Sequence, residues 1–209
     1  MTDGLEAALR AADSVVFDFD GVLTDSEPLH LRSYRELMAA DGGGIDEDTF
    51  RGLIGRKERE IWPTVAGPGC DLDSLVARRA KLMLALTEQE GLRLDPRAAR
   101  MLKWAGRERI LLSSGSPVLV DGLLRRWDAV GLFGEVHALG DSRVAKPDEL
   151  RRIVADRRST PGWVGVLVED SPQMLDLGSA IGLVTVGVVH ALNTAADVAA
   201  ADFVVERAP

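Results

Sequence analysis

The chain has a single cysteine, Cys70, so neither an intramolecular disulfide nor a multi-cysteine metal site is open to it. That scarcity points to a reducing compartment. Basic charge is also in short supply: twenty-five Lys and Arg stand against thirty-three Asp and Glu, a formal net charge of −8. A general nucleic-acid or anionic-membrane binder is thereby disfavoured, and any anionic ligand must be held by a local site. The opening Met1-Thr2-Asp3-Gly4-Leu5-Glu6 lacks the basic region and apolar stretch of a secretory signal. The most apolar window towards the end of the chain, Ile181 to Ala201, is broken by Gly182, Gly187, His190, Asn193 and Asp197, and reads poorly as a membrane span. A cytoplasmic protein is the expectation. No internal repeat is present, and the one low-complexity tract, Gly42-Gly43-Gly44, reads as a flexible turn.

What is present is enough apolar material for a substantial core. Of 209 residues 46% are hydrophobic and 28% charged, the balance of one large globular domain or one domain with a smaller insertion. Short apolar, β-branched runs recur at Ser14–Phe17, Arg109–Leu112, Glu135–Leu139, Val164–Val168 and Val184–Val189, with a last short one at Asp202–Val205. Runs of this kind separated by helical patterns are the signature of buried parallel strands and crossover helices. Helices are expected at about 117–129, 147–158 and 171–181.

Nearly ninety residues from Gly21 to Glu108 contain no convincing strand. Instead, Ser26 or Asp25 caps a helix with Pro28 in its first turn, running to Ala40, where Asp41-Gly42-Gly43-Gly44 ends it. Further helices are expected at Asp46–Ile54, Lys57–Val65 with an interruption near Pro63, and Asp71–Glu90, and Asp95-Pro96 restarts a helix leading to the second strand. A helical block inserted after the first strand suggests a lid over the sheet edge. The expected architecture is α/β: a Rossmann-like three-layer core with a mostly parallel sheet, residues 1–26 and 92–209, plus an inserted helical cap, residues 27–91.

In an open parallel sheet, ligands bind at the carboxyl ends of the strands. The first run ends in Asp18-Phe19-Asp20-Gly21, with two carboxylates two residues apart. The second ends in Ser113-Ser114-Gly115-Ser116-Pro117, where a hydroxyl and the free amides of a helix start suit an anion. Ser116 before Pro117 has the look of an N-cap. Lys146-Pro147 follows the third run, and Glu169-Asp170-Ser171-Pro172 closes the fourth.

These four strand ends, in this order, resemble the motifs of the haloacid dehalogenase superfamily. The segment from Asp20 through Pro28 to His30 resembles the helical-cap subgroup of β-phosphoglucomutase, phosphoglycolate phosphatase and sugar-phosphate phosphatases. The resemblance implies Asp18 as nucleophile and Asp20 as acid and base. It makes Ser114, or its neighbour Ser113, the phosphoryl-binding hydroxyl beside Gly115 and Ser116, and Lys146 the charge-neutralising lysine. Mg²⁺ is implied as cofactor, held by Asp18, the Asp20 carbonyl and Asp170, with Glu169 ligating through water or orienting the site. Family members that dehalogenate lack a carboxylate at the position of Asp20. The common Lys-Pro-x-Pro pattern is here Lys146-Pro147-Asp148-Glu149, a departure that bears on the turn rather than the charge.

Within the cap, the resemblance implies that His30 positions the proton-transfer residue and that Arg56, in Gly55-Arg56-Lys57, contacts substrate. Arg78, Arg79 and Lys81 on the long helix are expected to pair in solvent. Val76, Leu82 and Leu86 read as packing positions, and Trp62, Trp104, Trp127 and Trp163 as scattered hydrophobic anchors. Phosphonoacetaldehyde hydrolases need a cap lysine for a Schiff base, and no local motif marks Lys57 or Lys81 for that role. The expected function is hydrolysis of a small phosphorylated metabolite through an aspartyl phosphate, by a monomer or homodimer without nucleic-acid or membrane partners. A phosphosugar mutase and a non-catalytic phosphometabolite-binding protein are the alternatives.

Overall fold

The computed structural model describes residues 3–40, 42–54, 56–140 and 142–206. Asp41 of the glycine turn and Gly55 of the Gly-Arg element therefore lie outside the described residues. In chain order the elements are α1 (Asp3–Ala11), β1 (Ser14–Phe17), α2 (Glu27–Ala39), α3 (Glu47–Arg51), α4 (Glu58–Val65), α5 (Leu72–Gln89) and α6 (Pro96–Trp104). There follow β2 (Glu108–Ser113), α7 (Pro117–Arg126), β3 (Glu135–Ala138), α8 (Lys146–Arg157), β4 (Gly165–Glu169), α9 (Pro172–Ala180), β5 (Val184–Val188) and β6 (Phe203–Val205). Among the described residues no helix is long and apolar enough to cross a membrane.

The six strands form one sheet in the order β3-β2-β1-β4-β5-β6, and every pairing is parallel. This Rossmann-like order reverses direction between β1 and β4, which makes the gap above those two strands a topological switch point. Alternation along the strands supplies both faces of the core. Val15, Phe17, Leu111, Val166 and Val168 point into a cluster with Leu5 and Leu9 of α1, Met101 of α6 and Leu123 of α7. Val16, Ile110, Leu112 and Leu167 point the other way, against Ile153 of α8 and Met174 of α9. Trp127 stacks on Phe19 at 5.7 Å between centroids, and the Trp163 Nε1 donates to Ser14 Oγ at 3.0 Å, so both anchor the core.

Helices α2 to α5 enclose a third apolar cluster around Tyr34, Phe50, Ile61, Trp62 and Leu75. Helix α5 joins this cluster to the sheet: Leu75 sits in the former, while Met83 and Leu86 reach the β1 side. Two expectations for this block need correction. The helix expected over 46–54 stops at Arg51, because Gly52 takes the cap and Leu53 and Ile54 continue only as turns. No interruption appears at Pro63: α4 runs through it, and the Ala66 N–H closes the last turn on the Trp62 carbonyl. Helix α1 has no counterpart among the sequence expectations. Its Leu5 and Leu9, four residues apart, are fully buried, and Arg10 pairs with Glu6 on the outer face.

The helical block returns to the sheet through Asp95. Its main-chain N–H donates to the Leu23 carbonyl at 2.8 Å, and its carboxylate caps α6 by accepting the Arg97 N–H at 2.7 Å. The Arg97 guanidinium grips the same carboxylate and donates to the Val189 carbonyl at 2.7 Å. Burial works against the ionised form of Asp95, yet the Arg97 hydrogen bonds hold its carboxyl below the usual range. A folded-state value below the unfolded one contributes stability that is complete above pH ~3.9 and lost as the pH falls through the folded value. Asp95→Ala is therefore expected to cost about 1–2 kcal/mol at pH 7, as for other N-cap losses. Urea denaturation at pH 7 and again near pH 3.5 should show the gap between variant and wild type closing on the acid side.

Candidate active site

The strand registers bring four chain segments to one level above the sheet. Asp18 extends β1 by one residue, its N–H donating to the Val168 carbonyl at 2.9 Å, and so stands beside Glu169 and Asp170 at the end of β4. Ser113 pairs with Ala138, which sets the turn of Ser114, Gly115 and Ser116 next to Leu139 and Gly140. Lys146 opens α8 and points back under the sheet end. Its Nζ lies 2.7 Å from Asp18 Oδ1 and 2.8 Å from Glu169 Oε2, and all three side chains are buried. Glu169 Oε1 accepts the N–H groups of Asp170 and Ser171, both at 3.2 Å.

Charge does not balance here. Oxygens of Asp18, Glu169 and Asp170 lie within 4.8 Å of one another, and one lysine answers three carboxyl groups. Burial, and then the neighbouring Glu169, push the Asp18 carboxyl well above its usual range against the pull of Lys146. Glu169 is raised chiefly by burial. Although burial opposes it, Lys146 is raised and held cationic by Asp18 and Glu169. Asp170 Oδ2 is fully buried without a hydrogen-bond partner, with His190 Nε2 at 2.9 Å as a near neighbour. A hard divalent cation fits this donor set: it wants carboxylate oxygens and supplies the missing positive charge.

Asp20 stands apart from that cluster. A tight turn with Gly21 at φ 74° carries it, closed by the Gly21 N–H to the Thr24 carbonyl at 2.9 Å. Its Oδ1 accepts from Ser26 Oγ at 2.5 Å and faces His30 Nε2 at 3.0 Å. Burial disfavours the carboxylate, but His30 and Ser26 outweigh it and hold Asp20 below its usual range. Behind His30 lies Arg79, whose Nη2 meets His30 Nδ1. A guanidinium has only donors, so Nδ1 must accept, which leaves the imidazole proton on Nε2 facing Asp20.

Arg79 is thus not the solvent-paired residue expected from its place on α5. It is 6% exposed, lies 4.1 Å over the Tyr34 ring, and bonds Ser33 Oγ at 2.9 Å and Glu58 Oε2 at 3.2 Å. The Trp62 indole in turn donates to Glu58 Oε1 at 3.0 Å. Burial decided by two other helices is invisible in a local charge pattern, and spacing alone gave no signal for this chain.

A cavity of about 130 Å³ gathers most of the sequence-derived candidates: Asp18, Asp20, Ser114, Gly115, Ser116, Lys146, Asp170, His30 and Arg56 all line it. Glu169 sits just behind, fully buried. Ser114 faces the cavity, whereas Ser113 is buried and accepts the Gly115 N–H at 2.9 Å, so of the two it is Ser114 that reaches the space. Ser116 holds the N-cap position of α7 without a side-chain capping bond. Arg56 is exposed at the rim. Lys57 is engaged elsewhere, its ammonium donating to the carbonyls of Ser142 and Val144 in the loop before Lys146. Glu27, Glu58 and Tyr34 also line the cavity and were not anticipated.

The family model of haloacid dehalogenase-like hydrolases matches residues 12–155. A curated relative from Thermotoga maritima, named phosphorylated carbohydrates phosphatase, is 30% identical over 188 residues, covering 87% of each chain. Among solved structures, CbbY from Rhodobacter sphaeroides in complex with phosphate superposes with a TM-score of 0.76 at 23% identity, covering 93% of each chain. A β-phosphoglucomutase from Clostridium difficile gives 0.74 at 18% identity over 93% of this chain and 90% of its own. At those identities the two structures speak to the fold.

Gly21 offers a check on the geometry itself. A Cβ there would fall 2.4 Å from Asp170 Oδ2, on a backbone that side-chain-bearing residues rarely adopt. Gly21→Ala is expected to cost about 2 kcal/mol or more, combining positive-φ strain with a displaced buried carboxylate. Its thermal midpoint should fall by about 4–8 °C, readable by circular dichroism.

Proposed function

The chain belongs to the haloacid dehalogenase-like hydrolase family, and we propose that within it the protein is a Mg²⁺-dependent phosphatase of a small phosphorylated metabolite, a phosphorylated carbohydrate before others. The observation that carries this reading is the pair of separated carboxyl environments in one cavity: Asp18 against Lys146, and Asp20 against Ser26 and His30. The name of the 30% identical relative supports the substrate class. In the same reading the core comprises residues 1–26 and 92–209, and residues 27–91 form the cap that selects the leaving group, in keeping with their separate apolar cluster.

Asp18 attacks phosphorus in line and carries the phosphoryl group as an aspartyl phosphate. Ser114 and the amides of the turn before α7 hold the equatorial oxygens, and Lys146 offsets the repulsion between an anionic nucleophile and an anionic substrate. Asp18, the Asp20 carbonyl and Asp170 would hold Mg²⁺, with Glu169 orienting them. When bound, the ion supplies the positive charge that ionises Asp18 and steadies the phosphoryl oxygens. Asp20 protonates the departing oxygen and then takes a proton from the water that opens the intermediate. Held ionised in the free protein, Asp20 gains affinity for that proton when a phosphoryl dianion arrives beside it. His30, its tautomer set by Arg79, aims the Asp20 carboxyl.

A phosphosugar mutase would use the same groups, but it is not favoured beside a relative named as a phosphatase. Phosphate release from a panel of phosphomonoesters should require Mg²⁺, stop with EDTA, and fall on the order of 10⁴-fold or more in Asp18→Asn. An isomeric sugar phosphate in place of free phosphate would instead establish the mutase. Arg79→Met should lower kcat by about tenfold or more and displace its pH profile, since the histidine is then free to change tautomer. An unchanged profile would remove Arg79 from the proton path.

A further inference from the structure

Glu27 is the first residue of α2, one position after the serine that hydrogen-bonds Asp20. It is 5% exposed, and what exposure it has faces the cavity it lines. Its carboxyl has no hydrogen-bond or ion-pair partner among the described residues. The cation that acts on it, Arg79, has its Nε, Nη1 and Nη2 committed to Ser33, Glu58 and His30. Burial, followed by Asp20, Asp170 and Asp18, raises its affinity for a proton. A buried carboxyl without a partner is destabilising and persists where a ligand completes it.

The surroundings narrow what that ligand brings. The helical block lines the cavity with an apolar patch, Phe50, Leu53, Ile54, Ile61, Val76 and Met83, and with the polar side chains of Glu27, His30, Tyr34, Arg56, Glu58 and Arg79. The apolar patch suits the C–H face of a small polyol or sugar and leaves its hydroxyl groups to the polar side chains around it. Among those polar groups Tyr34 Oη also lacks a partner and Arg56 is exposed, and Glu27 is the unengaged carboxyl, seven residues after Asp20. His30 is bonded on both ring nitrogens, and Glu58 by Arg79 and Trp62.

We propose that Glu27 is a specificity-determining residue, its carboxyl hydrogen-bonding a hydroxyl of the leaving group and so selecting hydroxylated phosphate monoesters over alkyl ones. The inference rests on the phosphatase reading above and adds to it the residue that reads the leaving group. A site built to bond a hydroxyl rejects the analogue lacking it, because the protein's own polar group is then left unpaired.

The test compares glycerol 3-phosphate with propyl phosphate, equal in chain length and in leaving-group charge, as a ratio of kcat/KM values in wild type, Glu27→Gln and Glu27→Met. The wild type should favour the glycerol ester by at least about tenfold. Met should bring the ratio close to one, and Gln, which keeps the shape and can still bond a hydroxyl, should retain most of it. Thermal melting confirms that each variant is folded. Rates that fall together in Met with the ratio unchanged would assign Glu27 to chemistry or folding and overturn the proposal. A ratio unmoved in every variant, or lost as fully in Gln as in Met, would do the same. No phosphate released from either ester, or from the wider panel, by the wild type would instead overturn the phosphatase reading and this inference with it.

Discussion

One buried lysine organises this molecule. Lys146 places its ammonium between Asp18 on β1 and Glu169 on β4, the two strands on either side of the point where the sheet reverses direction. Removing an ammonium from water is costly, and two carboxylates at hydrogen-bond distance offset that cost only if the strands carrying them are in register. The parallel pairing of Phe17 with Val168 supplies the register, and Glu169 is fixed further by two backbone N–H groups. What is left over is negative charge, in a donor set of carboxylate oxygens that a hard divalent cation fits.

The second device is the chain of side chains from the sheet into the helical block. Asp20 is held by Ser26 and His30 of the α2 region, His30 by Arg79 of α5, and Arg79 by Glu58 of α4, which Trp62 secures in turn. Three segments thus fix the direction of one carboxyl group. Asp18 and Asp20 are two residues apart in sequence, yet burial against Glu169 raises one while His30 and Ser26 lower the other. Carboxyl groups pushed apart in this way are suited to different tasks.

Much of the core was legible in sequence because parallel strands buried on both faces appear as short apolar runs, and all six runs overlap the observed strands. Asp18, Ser114, Lys146 and Asp170 were legible because strand ends are where such a sheet binds ligands, and the four segments come in a recognisable order. Helix α1 went unread because its nine residues make only about two and a half turns, and Leu5 and Leu9 are its only buried residues. Arg79 and Glu27 were misread or passed over for a different reason. Arg79 lies among charged neighbours and Glu27 in the polar start of a helix, and only packing against segments distant along the chain takes them out of water. The Pro63 break failed because tertiary packing around Trp62, fully buried, outweighs one missing hydrogen bond in a short helix.

The order of the strands has a consequence for how the protein comes into being. β1 lies at the centre of the sheet, yet it pairs with β2 from residue 108 and with β4 only from residue 165. A chain emerging from the ribosome therefore presents its buried central strand long before either neighbour exists, while the helices over residues 27–89 can associate through contacts close in sequence. The charge cluster cannot close until Glu169 has been made. A chain that stops short of β4 therefore lacks one neighbour of β1 and the Glu169 carboxylate that holds Lys146, whatever the state of the helices over residues 27–89.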